Sequence, residues 1–365
     1  MRSSLQCLLF SSFFVLPTVA SAEAANSPNT YITDTPVQAA GDSASQEPTW
    51  SKWAISFDND ILVPGTNDRD YTYGFNLVLS GAGARSKWYS PYRALNWLDR
   101  GFGVSNRADS GLERVTLETG VFAFTPEDIT TAEPIEGERP YSSLVYLSSV
   151  RQQIDADNEV AWDSSLTLGV LGLPLVGSVQ NQLHDLLGGD EANGWNNQIS
   201  DGGELTARYA VSRQNNWQLD NDRLEVKTAV QGSVGYLSEV AWSFNVRAGE
   251  IHSPWWSFNP HLASYGQQSS EIAVSTQAER YFWFGAAVKA RAYNALLQGQ
   301  FRDSEVSYSS GEVNHLLVEA WAGYTLAFDG GYRISYMVRG QSSELKQGLG
   351  DRHLLWGGVT FSKAF

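Results

Sequence analysis

The chain has 365 residues, a formal net charge of −15 at pH 7 and a single cysteine, Cys7. An acidic balance of this size argues against nucleic acid as a partner, because binding to phosphates needs an excess of Lys and Arg. One cysteine cannot form a disulfide framework within the chain.

Residues 1–22 are predicted to be a secretory signal peptide. Arg2 provides the positive charge, residues 8–19 are mostly apolar, and Ala20-Ser21-Ala22 provides a small-residue cleavage site. Cleavage would also remove Cys7 and with it any catalytic thiol. Residues 23–50 are poor in apolar side chains, so we expect a disordered linker between the signal and the folded part.

From residue 51 to residue 365 the dominant pattern is alternation with period two. Val240, Trp242, Phe244 and Val246, for example, alternate with smaller or polar residues. About twelve such segments occur, near residues 52–60, 73–81, 114–124, 142–152, 159–171, 203–213, 223–235, 238–249, 280–292, 312–327, 330–340 and 353–365.

A soluble β-sandwich would alternate in the same way. Three features favour a membrane barrel: the export signal without a stop-transfer helix, segments of about nine to fifteen residues, and abundant aromatic residues near their ends. The chain also ends on Phe365, as outer-membrane barrels do when the barrel-assembly machinery recognises them. We therefore predict an all-β fold, a transmembrane antiparallel up-and-down β-barrel of about 12 strands in the Gram-negative outer membrane.

Both termini of an even-stranded barrel lie on the same, periplasmic, side. Strand parity therefore places residues 61–72, 125–141 and 172–202 on the outside. Residues 82–113 and 250–279 would be periplasmic, and they are long for periplasmic turns, which leaves open a missed pair of strands.

The outer segment 172–199 contains the one predicted extracellular loop helix. Ser178 is a plausible N-cap and Gly188 a plausible C′ residue. Gln180 and His184 are four residues apart and would therefore lie together on one face. His184 could be a catalytic base or an ordinary surface histidine.

Oxygen-bearing side chains crowd the first predicted hairpin. Carboxylates, amides and hydroxyls are the ligands that a hard cation prefers, although Asn and Asp are also common loop formers. The residues concerned are Asp58, Asn59, Asp60, Asp68, Asp70 and Thr72.

Six blocks of sequence, in order along the chain, resemble the outer-membrane lipid A 3′-O-deacylase family. They are FDNDIL (57–62), RDYTYG (69–74), ERPYSSLVY (138–146), QNQLH (180–184), GWNNQ (194–198) and YNALLQG (293–299).

The resemblance implies a twelve-stranded barrel that hydrolyses the 3′-acyloxyacyl ester of lipid A, the lipid anchor of lipopolysaccharide, and depends on calcium (Ca2+). It further implies five catalytic residues: Asn59, Asp60, Thr72, Gln180 and His184. Asp60, Asn59 and Thr72 are then the expected metal ligands. His184 would activate water, the metal would stabilise the oxyanion, and Gln180 would orient the substrate or the imidazole.

Two other functions remain open from the sequence. One is a passive pore or adhesion barrel, because lumen-facing positions carry charges such as Glu118, Arg208 and Arg333. The other is an outer-membrane phospholipase, which keeps the hydrolase and changes the substrate.

Overall fold

The structure is a computed structural model that describes residues 49–63, 70–105, 112–155, 157–217, 219, 223–265, 267 and 275–365. The predicted signal peptide of residues 1–22 and nearly all of the linker of residues 23–50 lie outside the described residues. In the described part, twelve strands close into one antiparallel barrel, which confirms the predicted fold.

The strands are β1 (Lys52–Asn59), β2 (Asp70–Ser80), β3 (Leu112–Thr125), β4 (Ser142–Asp155), β5 (Val160–Leu171), β6 (Glu204–Trp217), β7 (Leu224–Gly235), β8 (Leu237–Glu250), β9 (Glu279–Asn294), β10 (Leu316–Phe328), β11 (Tyr332–Gln341) and β12 (Leu354–Ala364). The helices are α1 (Ala82–Ser86), α2 (Tyr92–Gly101), α3 (Pro174–Leu187) and α4 (Ala295–Gln298), with short 3-10 helices at Asp60–Leu62, Trp195–Asn197, Trp255–Ser257 and Pro260–Leu262.

Each strand pairs with its neighbour in sequence, and β1 pairs with β12 to close the wall. Closure leaves no sheet edge whose backbone groups would face lipid without partners. We call the end where β1 begins and β12 finishes the termini end, and the opposite end the loop end. Helix α3 lies at the loop end.

Alternation assigns the two faces of the wall. On β1, Ile55 and Phe57 point outward and are 39% and 41% exposed, whereas Ser56 and Asp58 point inward and are buried. Inward aromatic side chains from most strands pack on each other in a single cluster inside the lumen, which includes Tyr71, Phe122, Phe124, Tyr281, Trp283, Trp321 and Trp356.

Buried ion pairs occupy other parts of the lumen. The lumen-facing charges named from the sequence, Glu118, Arg208 and Arg333, are buried, as are Lys289 and Arg291. Arg291 Nε contacts Glu239 at 2.8 Å, and Lys289 pairs with Glu319. Pairing of this kind offsets part of the cost of removing the charges from water.

The long connection from β8 to β9 enters the lumen from the termini end. Trp256 packs on Ile154 and Ala161 near that end, and Arg339 donates to the carbonyl oxygen of Pro260 at 2.6 Å. The connection reaches as far as Tyr265, which donates to Glu344 at 2.7 Å near the loop end. No strand pair was therefore missed in the described part of this connection, because the extra length is a plug.

The other long connection, from β2 to β3, carries α1 and α2 on the outside of the wall. Ala84 of α1 packs on Val115 and Leu117, which share the outward face of β3. Asp99 of α2 accepts hydrogen bonds from Ser164 and Tyr209. None of the helices in the described residues combines the length and the apolar character needed to cross a membrane.

Candidate active site

Helix α3 begins five residues earlier than its sequence predicts. Pro174 occupies its first turn, where the missing N–H of proline has no helical partner to lose, and Leu173 is the N-cap. The prediction of Ser178 as N-cap is wrong, since its hydroxyl lies within the helix, 3.5 Å from the carbonyl oxygen of Pro174. Gly188 ends the helix at φ 76°, as predicted.

The start of α3 is fastened to the outer face of the barrel wall. Tyr73 of β2 donates its hydroxyl hydrogen to the carbonyl oxygen of Val176 at 3.3 Å. Gly177 lets α3 pack closely on Trp195 of the loop that follows the helix, because a Cβ at residue 177 would lie 2.5 Å from Trp195 Cγ. An apolar cluster, the α3 seat, joins the helix and its following loop to the wall, and its buried members are Tyr73, Ala123, Tyr141, Val176, Ala192 and Trp195.

Gln180 faces the wall from the middle of α3. It lies four residues after Val176 and therefore on the same side of the helix, and its side chain is 2% exposed. Its Oε1 accepts a hydrogen bond from Trp195 Nε1 at 2.8 Å. Its Nε2 has no hydrogen-bond partner within the part of the chain that the structure describes. A buried donor of this kind is a site where a ligand atom or water is expected to bind.

His184 continues the same stripe one turn later and is partly exposed. Its Nδ1 is hydrogen-bonded to the backbone carbonyl oxygen of Asp190. A carbonyl oxygen can only accept, so Nδ1 carries the proton and the lone pair of the neutral ring is on Nε2. Asn181 fixes the loop that supplies this carbonyl, by accepting from Ala192 N at 2.9 Å and donating to Ala192 O at 3.1 Å.

The first hairpin supplies the other group of predicted residues. Asn59 caps the 3-10 helix Asp60–Leu62 by accepting from Ile61 N at 2.6 Å, and its amide nitrogen donates to the carbonyl oxygen of Thr72. The outward parity of Asn59 therefore does not leave it facing lipid, since it is 8% exposed. This contact brings Asn59 and Thr72 together.

A β-bulge at Thr72 shapes this group. Tyr71 pairs with Phe124 and Tyr73 pairs with Ala123, so Thr72 is the extra residue of β2. Its hydroxyl lies 2.9 Å from the hydroxyl of Thr125. The β1–β2 pairing ends at Asp58 and Gly74, and Asp60 follows in the 3-10 helix. Asp60 is 2% exposed.

A buried ionic cluster supports the rim beside the bulge. Arg352 holds Asp70 with two hydrogen bonds of 2.6 and 2.8 Å, and Arg139 pairs with Glu344. Burial alone would raise the pKa of Glu344, but the guanidinium groups of Arg139 and Arg291 hold it below the usual value. Arg139, which its sequence position suggests as a phosphate ligand or a rim charge, is thus a buried structural partner.

The oxygen donors of Asn59, Asp60 and Thr72 suit a hard cation such as calcium. They provide one carboxylate, one amide carbonyl and one hydroxyl, fewer than the six to eight oxygens that calcium takes. In the described part of the chain, no group of three or more His, Cys, Asp or Glu could hold a metal ion. Asp68, a further candidate of the same hairpin, lies outside the described residues.

The five predicted site residues therefore fall into two groups at the loop end, one on the first hairpin and one on helix α3. Asn59, Asp60 and Thr72 form the first, and α3 presents Gln180 and His184. Tyr73 links the groups, because it follows Thr72 in the chain and holds the start of α3. Sequence patterns did not identify Tyr73, Asn181 or Trp195 as residues that position the site. Gly177, which packs on Trp195, and Gly194, which precedes it in the chain, are the signal of close packing there.

Comparisons with known proteins extend this picture. A family model described as "Outer membrane protein LpxR" matches residues 8–365. The solved structure of LpxR from Salmonella typhimurium has 18% identity and a TM-score of 0.65, with 86% of this chain and all of that chain covered.

Two further barrels are more distant. The β domain of the Bordetella autotransporter BrkA (11% identity, TM-score 0.37, covering 87% of this chain and 100% of its own) and the KdgM porin (6% identity, TM-score 0.34, covering 86% and 99%) do not inform the site. Among curated proteins, a sequence comparison finds no significant match.

Proposed function

Because this chain belongs to the LpxR family of outer membrane proteins, we propose that it is a hydrolase that removes the 3′-acyloxyacyl chain from lipid A. The observation that carries the proposal is α3 itself. It holds against the outer wall of a barrel a histidine of defined tautomer and the buried Gln180 Nε2, which has no hydrogen-bond partner among the described residues. A site on the outside of the wall is open to a lipid in the surrounding leaflet.

The proposed chemistry starts at His184. Its Nε2 takes a proton from a water molecule as the oxygen attacks the ester carbonyl, and the carbonyl oxygen becomes an oxyanion. When the tetrahedral intermediate collapses, the C–O bond to the sugar breaks and the imidazolium returns the proton to the leaving alkoxide. The products are a free fatty acid and a 3′-hydroxyl group.

Gln180 would act on the substrate directly. Its Nε2 is a neutral donor in a buried position, so a bond to the carbonyl oxygen would strengthen as negative charge develops there. Trp195 occupies Oε1 of the same amide and thereby fixes which end of the side chain faces the substrate.

Calcium is part of the proposal, with Asp60, Asn59 and Thr72 as its protein ligands. When bound, it would polarise the ester carbonyl and offset the charge of the oxyanion. The oxygen-only donor set and the burial of Asp60 support this assignment. The missing ligands would come from water or from the substrate.

The alternative of a passive pore is not favoured. Aromatic side chains, ion pairs and the described part of the β8–β9 connection occupy much of the lumen.

The test is mass spectrometry of lipid A from cells with and without the protein, repeated with excess chelator. We expect loss of one acyloxyacyl unit from the 3′ position only when the protein is present and divalent cations are available. Unchanged lipid A together with new lysophospholipid would assign the activity to phospholipid instead. Full deacylation in chelator would contradict the metal assignment.

A further inference from the structure

Helices α1 and α2 form a second helical attachment on the outer wall, at the opposite end from α3. Asp99 is fully buried and accepts hydrogen bonds from Ser164 Oγ at 2.8 Å, Tyr209 Oη at 2.9 Å and Arg151 Nη1 at 3.3 Å. All three donors point outward from the barrel. The inner side of α2 is therefore fixed by polar contacts as well as by buried Leu95.

The opposite side of α2 has no partner in the described residues and carries an unusual set of side chains. Arg93, Trp97 and Arg100 lie three or four residues apart and form one exposed stripe, in which Trp97 is 73% exposed. We call this stripe the outer face of α2. Trp88, which precedes the helix, is 93% exposed, whereas Phe102 after the helix stacks on Tyr209 of the wall.

The charge of this segment is opposite to that of the chain. The described residues 82–105 contain four cations: Arg85, which pairs with Glu113, and Lys87, Arg93 and Arg100. Their single carboxylate, Asp99, is paired with Arg151. The whole chain has a formal net charge of −15. A basic patch in an acidic protein indicates an anionic partner.

The position of the outer face of α2 indicates that its anionic partner is a membrane lipid. It lies at the termini end of the wall, directly beside the lipid-facing surface, where Thr119 is the next exposed outward residue of β3. Tryptophan between arginines is typical of helices in the headgroup region, where the indole ring contacts acyl chains and guanidinium groups reach phosphates.

We propose that α1 and α2 form an amphipathic anchor in the leaflet at the termini end, and that Arg93, Trp97 and Arg100 bind the headgroup region of anionic phospholipids. In an exported barrel this leaflet is the periplasmic one. The anchor is independent of the proposed ester hydrolysis, which takes place at the other end of the wall.

The test uses one spin label per molecule, since Cys7 is the only native cysteine and can be changed to Ala. The label is placed by Ala94→Cys, beside the outer face, in the full barrel reconstituted in nanodiscs. Ser307→Cys in an exposed loop is the aqueous reference, and Ala320→Cys on the outward face of β10 is the lipid reference. The measurement is the ratio of accessibility to oxygen and to a water-soluble nickel chelate.

With a third of the lipid as phosphatidylglycerol, we expect the ratio at residue 94 to exceed that at residue 307 about threefold and to stay below that at residue 320. The variant Arg93→Gln/Arg100→Gln should lower the ratio at residue 94. The matched variant Arg280→Gln/Lys363→Gln, which removes two cations from other strands of the same end, should not.

Equal ratios at residues 94 and 307 would overturn the anchor. A ratio at residue 94 that is the same in phosphatidylcholine alone, or unaffected by the Arg93→Gln/Arg100→Gln variant, would overturn the recognition of anionic lipid. Unchanged folding, judged by the heat-dependent gel mobility of the barrel, is the control for every variant.

Discussion

Two sectors of the barrel wall differ in what covers them. On β3, the α1–α2 segment covers Val115 and Leu117 at one end, and the α3 seat covers Ala123 at the other. On β10, by contrast, Leu316, Val318 and Phe328 are all more than half exposed. We call β3 and β4 the covered sector and β8 to β10 the bare sector.

The length of exposed, lipid-facing wall across the membrane also differs between the two sectors. Leu316 to Phe328 spans twelve steps, about 41 Å along a strand and about 30 Å across the membrane at the usual tilt, which matches a hydrocarbon core. In the covered sector the four steps from Leu117 to Val121 leave only about 10 Å of wall between the attachments. The bare sector is an ordinary lipid-facing wall, whereas helix α3 of the proposed active site and the proposed lipid anchor are both attached to the covered sector.

The largest expected effect is that of removing the base. His184→Ala should lower deacylation by about 10²- to 10⁴-fold, the range for loss of a general base. His252, near the termini end of the bare sector, makes the same type of bond, from Nδ1 to the carbonyl oxygen of Ala278 at 2.8 Å. His252→Ala should leave the rate unchanged, and equal rates for the two variants would refute the role of His184. Initial rates on purified lipid A measure both.

Metal ligation ranks second. Asp60→Asn keeps the shape of the side chain and removes its charge, so the calcium concentration for half-maximal activity should rise about tenfold or more. Titration of calcium into the chelator-treated enzyme gives this value. Asp329→Asn, at a turn of the bare sector, is the control and should titrate like the unmodified protein. The same midpoint for both variants would remove Asp60 from the metal site.

The seating of α3 ranks third. Gly177→Ala would place a Cβ 2.5 Å from Trp195 Cγ, so the helix must shift from the wall and activity should fall about tenfold. On β7, next to the bare sector, a Cβ at Gly232 meets no atom within 4 Å, and Gly232→Ala should be silent. Initial rates and the heat-dependent gel mobility of each barrel separate a shifted helix from a misfolded wall. Full activity of Gly177→Ala would contradict the seating.

The smallest effect isolates one hydrogen bond. Trp195→Phe keeps an aromatic ring in the seat but leaves Gln180 Oε1 without its donor, so activity should fall about two- to tenfold. Trp242→Phe in the bare sector changes only a lipid-facing ring and should have no effect. If Trp195 contributes only by orienting the amide of Gln180, the Trp195→Phe substitution should have no further effect once Gln180 is replaced by Ala. The double variant should then be no slower than Gln180→Ala alone. Additive losses would mean that Trp195 acts otherwise.

The wall was predictable because its signal is local. Outward and inward residues alternate along each strand, and all twelve segments recur as strands in the structure. The structure of the two long connections was not predictable in the same way, because it depends on contacts between residues far apart in sequence. Asp99 of α2 is held by Tyr209, and Tyr265 of the β8–β9 connection is held by Glu344.

The candidate site shows the same division. Resemblance to a family proposed Asn59, Asp60, Thr72, Gln180 and His184, but not what positions them. The bulge at Thr72 exists only relative to the register of β3, and the tautomer of His184 depends on a carbonyl oxygen six residues later. The early start of α3 was missed because Ser178 looks like an N-cap, while Pro174 at the true start was the better signal.

The β8–β9 connection has a topological consequence. It leaves β8 at the termini end, turns back near Ser264 and Gln267, which form an isolated bridge, and rejoins β9 at the same mouth of the barrel. Both ends of this connection therefore lie at one mouth of the barrel. Wall closure and plug docking can occur in either order, and a force applied to this connection could draw the plug out while every wall hydrogen bond stays in place.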